Sequence, residues 1–104
     1  MSEALTEPQK EINELAAKAQ KALEAYASYD QEKIDYIVAT ASIAALDQHG
    51  SLAKLAVEET KRGVLEDKAT KNLFACEYVV NNMRHLKTVG VVEDDDVTGI
   101  VKIA

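Results

Sequence analysis

Lys87-Thr88-Val89-Gly90-Val91-Val92-Glu93-Asp94-Asp95-Asp96-Val97-Thr98-Gly99-Ile100-Val101-Lys102-Ile103 decides the architecture of this 104-residue chain. Two β-branched runs, residues 88–92 and 97–103, flank four consecutive acids, the pattern of a hairpin with an acidic loop. Sequence before Lys87 is alanine-rich and charge-laced, with helical periodicity. The chain therefore divides into a helical region, residues 1–87, and a β-hairpin, residues 88–104. The adjacent pairs Val91-Val92 and Ile100-Val101 put apolar groups on both faces of their strands. Such a ribbon, marginal on its own in water, needs cover on both faces or a partner along its edge. The second strand is still running where the sequence stops, which reads as a truncation.

Upstream, the pattern predicts about four helices, so the fold class is mainly α with a C-terminal β-hairpin. Thr6-Glu7-Pro8-Gln9 forms a capping box with proline in the first turn. Ile12, Leu15, Ala16, Ala19, Leu23 and Tyr26 then mark one face. Asp30 caps a second helix with Ile34, Ile37, Val38, Ala41 and Ala45 as its buried stripe, ended by Gly50 in the left-handed position. Ser51 caps a third through Leu52, Leu55 and Ala56, with Lys61 and Arg62 in its last turn and Gly63 as its stop. Asp67 caps the fourth, whose wide face of Ala69, Leu73, Phe74, Cys76, Tyr78, Val79, Val80 and Met83 makes it the most buried.

No catalytic constellation emerges from the residues. Cys76 lies among aliphatic positions in mid-helix, without the helix N-terminus or neighbouring base that activates a thiol, and reads as packing. His49 and His85 lack further ligands at matched spacing. The acids 93–96 lack the alternating ligands and turn glycine of a calcium loop, and no glycine-rich phosphate cradle exists. Catalytic, cofactor-binding and metal-ligating residues are therefore all expected to be absent from this segment.

A net charge of −6 argues against nucleic acid or an anionic membrane as partner. One cysteine fits a reducing compartment, and no signal peptide or membrane-length apolar run is visible. A cytoplasmic setting follows.

Several stretches carry a resemblance: Glu24-Ala25-Tyr26-Ala27-Ser28-Tyr29, Gln31-Glu32-Lys33-Ile34-Asp35, Leu52-Ala53-Lys54-Leu55-Ala56-Val57-Glu58-Glu59-Thr60, Gly63-Val64-Leu65-Glu66-Asp67-Lys68, and Gly99-Ile100-Val101-Lys102-Ile103-Ala104. Together they resemble the N-terminal segment of the CoA-acylating aldehyde dehydrogenases, over residues 5–104. The likeness implies an α/β parent, truncated here before its dinucleotide-binding domain, that uses NAD and CoA to interconvert acetaldehyde and acetyl-CoA in fermentation. The family's nucleophilic cysteine lies further on, so Cys76 inherits no role. By the same likeness the hairpin resembles an oligomerisation arm, with Val91, Val92, Ile100, Val101 and Ile103 at a subunit contact. The partners implied are a second copy and the rest of the parent enzyme. The alternative is a free-standing helical protein-interaction module.

Overall fold

The computed structural model describes residues 3–104 and contains the expected elements. Helix α1 (Glu7–Tyr26) opens with the full capping box: Thr6 N donates to Gln9 Oε1 at 2.8 Å, and Gln9 N donates to Thr6 Oγ1 at 3.4 Å. Helix α2 (Gln31–Asp47) is capped by Asp30, whose carboxylate accepts from Lys33 N at 2.8 Å. Helix α3 spans His49–Thr60 and α4 spans Leu65–Leu73. A π-helical stretch (Phe74–Val79) and a last α-helical turn, α5 (Val80–Met83), continue α4 as one rod with right-handed helical dihedrals at the joints. Strands β1 (Val91–Asp95) and β2 (Ile100–Ile103) form an antiparallel hairpin.

Four boundaries differ from expectation, each for a local reason. Gly50 is helical and lies inside α3. The α2–α3 break is a single residue, Gln48 at φ −106° and ψ 5°, and its carbonyl already accepts from Leu52 N. Ser51 consequently caps nothing and turns its hydroxyl back to Gln48. Helix α3 stops at Thr60, before Lys61 and Arg62, because Thr60 Oγ1 donates to Ala56 O at 2.7 Å and accepts from Arg62 N at 3.2 Å. Lys61 takes the left-handed conformation in the position reserved for Gly63, which is itself at φ 84°. The fourth helix starts at Leu65, placing Asp67 within its first turn, where a carboxylate favours the helix dipole.

Packing departs further from the sequence pattern. Ala53 is the one buried residue among those described. It sits where α3 meets α4, the most extensive helix–helix contact; a small side chain there lets the two backbones approach. Leu52 and Leu55, the expected face of α3, stay exposed. On α2, Ile34, Ile37 and Ala45 are half-buried as the stripe requires, whereas Val38 and Ala41 face outward. The fourth rod is not the most buried element: Ala69, Leu73, Cys76 and Val80 are half-covered, and Phe74, Tyr78, Val79 and Met83 are open. Helix α1 makes no extensive contact with any other element, and its Ile12, Leu15 and Leu23 are exposed.

The result is an open body. Its radius of gyration is 18.8 Å, against about 13 Å for a compact domain of this length. Its accessible surface is 8783 Å², about 3,000 Å² more than a compact monomer of this mass would show. Stability therefore concentrates at the α3–α4 contact. Ala53→Leu is expected to cost about 1–3 kcal/mol by overpacking, whereas Leu23→Ser on α1 should fall within about 0.5 kcal/mol. Urea unfolding followed at the helical circular-dichroism band measures both.

Candidate functional site

The candidate site is the hairpin and its attachment to the helices. Pairing runs Val91 with Ile103, Glu93 with Lys102, Asp94 with Val101 and Asp95 with Ile100, with a bulge between Val91 and Glu93. Residues directly opposite share a face, and faces alternate along each strand. The extra residue, Val92, therefore resets the alternation: Val91, Val101 and Ile103 gather on one face with Asp94. Ile100 takes the other face beside Asp95 and the Glu93–Lys102 ion pair. Of the five expected contact residues, Val92 is half-buried, and Val91, Ile100, Val101 and Ile103 are 45%, 54%, 50% and 74% exposed. The hairpin packs chiefly on itself.

The acids do not form the expected loop, since Glu93, Asp94 and Asp95 lie within β1 and only Asp96 reaches the turn. Asp95 Oδ1 accepts from Val97 N at 2.9 Å and Thr98 N at 3.3 Å, building the turn that Gly99 closes at φ 71°. The Thr98 hydroxyl, then the two backbone N–H groups, hold the Asp95 carboxyl below its ordinary value of 3.8. No group of three or more histidine, cysteine, aspartate or glutamate side chains converges among the described residues. His49 uses Nδ1 to donate to Leu46 O at 2.6 Å, across the α2–α3 break. Cys76 is free and half-buried on the π-helical stretch. No described helix is long and apolar enough to cross a membrane.

Gln31, which no sequence motif singles out, holds the stem of the hairpin. Its Oε1 accepts from Thr88 N at 2.7 Å and Val89 N at 3.0 Å. Its Nε2 donates to Asp35 Oδ1 at 2.8 Å and Thr88 Oγ1 at 2.9 Å. Beside this junction lies an apolar groove of about 340 Å³, lined by Ile34, Val38, Val80, Met83, Leu86 and Thr88 among others.

No family model matches the chain. Over 95 residues it is 63% identical to aldehyde-alcohol dehydrogenase 2 of Entamoeba histolytica, covering 89% of this chain and 11% of that protein. Over 96 residues it is 68% identical to the aldehyde-alcohol dehydrogenase of Streptococcus pneumoniae serotype 4, covering 92% of this chain and 11% of that protein. An acetylating aldehyde dehydrogenase of Geobacillus thermoglucosidasius superposes with a TM-score of 0.70 at 39% identity, over 85% of this chain and 20% of that one. The resemblance read in the sequence therefore holds: the chain corresponds to an N-terminal segment of the acylating aldehyde dehydrogenases. Within that class, the bifunctional aldehyde-alcohol dehydrogenases are the proteins whose N-terminal region it matches at 63% and 68% identity. It spans 11% of the length of these curated relatives.

Two outcomes follow from this geometry. Because the folded pKa of Asp95 lies below 3.8, its ionised form stabilises the turn above that pH, and the contribution is lost as pH falls through the lower folded value. The Val97 and Thr98 amide resonances should move together in that acid range, and Asp95→Asn should abolish the titration. Cys76→Ala should cost about 1 kcal/mol or less, measured by urea unfolding, since the sulfur is only half-covered.

Proposed function

We propose that this chain serves as the N-terminal structural and assembly segment of an NAD-dependent, CoA-acylating acetaldehyde dehydrogenase. The parent reaction converts acetaldehyde, CoA and NAD⁺ to acetyl-CoA, NADH and a proton, in the cytoplasm, during fermentation. Residues 1–87 form the helical part of the segment. Residues 88–104 form an arm that reaches a second copy of the enzyme through Val91, Val92, Ile100, Val101 and Ile103. Nucleotide, CoA and the nucleophilic cysteine are held by the remainder of the parent, and the segment itself is non-catalytic.

The observation that carries this reading is a match over about nine tenths of this chain to about a tenth of each bifunctional relative. The uncovered stripes of α1 and the fourth rod support it, because a segment meant to be covered by the rest of a larger enzyme leaves such faces open. A free-standing module would bury its own stripes. The hairpin's one-sided face of Val91, Val101 and Ile103 supports the subunit contact in the same way.

The test is made in a full-length aldehyde-alcohol dehydrogenase carrying this segment. Val101→Lys replaces the central apolar side chain of the face that Val91 and Ile103 share with Asp94, and is expected to weaken assembly roughly tenfold or more in sedimentation, with the subunit still folded. Ile100→Lys, beside the acids of the opposite face, should weaken it less, and Cys76→Ala should leave turnover intact. Intact oligomers with Val101→Lys would remove the assembly role.

A further inference from the structure

We propose that Gln31 is the positioning residue that fixes the direction in which the hairpin leaves the helical body. Its side-chain amide has two acceptor lone pairs and two N–H donors, and all four are used. Both acceptor positions take backbone N–H groups of the hairpin stem, Thr88 at 2.7 Å and Val89 at 3.0 Å. One donor returns to Thr88 Oγ1 at 2.9 Å, and the other is braced by Asp35 Oδ1 at 2.8 Å, one turn further along α2. Two consecutive stem amides held by one oxygen fix the stem as a plane rather than a single point. Among the described residues, every side-chain hydrogen bond between residues 86–104 and the helices runs through Gln31.

Other attachments are weak. The hairpin packs chiefly on itself, and the chain between Met83 and Val91 has no regular secondary structure. Without the clamp, the arm would turn about that connection. Gln31 is the first residue of α2, so the clamp refers the stem to the axis of the helix that also contacts the fourth rod. The functional consequence, that an arm held in one direction meets its partner already oriented, rests on the assembly reading above. The clamp itself does not.

The test uses amide hydrogen exchange and residual dipolar couplings on the 104-residue chain. Gln31→Ala should raise exchange at Thr88 and Val89 at least about tenfold, leave the hairpin amides of Gly99 and Ala104 unchanged, and scatter the orientation of β1 and β2 relative to α2. Gln31→Glu keeps an acceptor for Thr88 N and Val89 N but opposes two carboxylates across the Asp35 contact, and should lose part of the protection. The double variant Gln31→Glu/Asp35→Asn reverses donor and acceptor along that edge and should restore protection, a rescue that loss of helix stability alone would not show. If Gln31→Ala lowers the helical circular-dichroism signal, Thr88→Val replaces it, removing one of the four bonds, with an expected rise of about threefold at Val89. Unchanged exchange at Thr88 and Val89, or failure of the double variant to restore it, overturns the proposal. Intact oligomers with Val101→Lys would remove the assembly reading while these exchange rates still decide the clamp.

Discussion

The close approach of α3 and α4 at Ala53 is the place where this chain excludes water completely among its described residues. Elsewhere Ile34, Ile37, Leu73, Cys76 and Val80 are half-covered, and most of the larger apolar side chains are open. Hydrophobic stabilisation scales with apolar area removed from water, so cohesion is centred on α2, α3 and the fourth rod. Helix α1, a cylinder about 30 Å long, draws nothing from that centre. Its capping box satisfies its first turn, but most helical stability in proteins comes from packing an amphipathic face, and α1 has no extensive contact to supply it. The hairpin stands in the same position at the other end, tied to the centre by hydrogen bonds rather than by burial.

Much of this was legible in the residues, because local signals act over four or five positions. The Thr6 box, the Asp30 cap and the hairpin each depend on neighbours in sequence, and each formed as its pattern demands. The boundaries that differ lie where residue type alone does not announce how the backbone turns, through the Thr60 hydroxyl in one case and with no side-chain cap at Gln48 or Val64. Thr60 closed α3 before the basic pair, Gln48 absorbed the break assigned to Gly50, and Val64 preceded the helix assigned to Asp67. The amphipathic stripes identified faces correctly in part but could not say whether anything would cover them. Periodicity reports what a helix is built to bury, and the covering surface is a separate fact.

The site divides in the same way. The five apolar hairpin residues were visible as β-branched runs, whereas their division between faces was not, because it depends on one extra residue in β1. A regular ladder through Val92 would have put Glu93 on the face of Val91. With the bulge, Glu93 stands opposite Lys102 and the valines collect with Ile103. Gln31 was invisible for a different reason. A glutamine at the start of a helix is ordinary until the fold brings residue 88 beside it, and sequence spacing carries no trace of a bond across more than fifty residues.

The local character of these pairings has a kinetic consequence. The packed helices α3 and α4 are neighbours in sequence, β1 and β2 are joined by a four-residue turn, and the helices need only their own turns to form. Contacts of that kind close in microseconds to milliseconds, far faster than a ribosome adds the next residues of a long chain. If this segment leads a parent roughly nine times its length, as its coverage of the relatives implies, it acquires its shape early and then waits. Through that interval the stripe of α1 and the valine face of the hairpin are formed, displayed and uncovered. In such a parent, the segment's greatest exposure to aggregation and to chaperone capture would fall during synthesis, before any covering surface had been made.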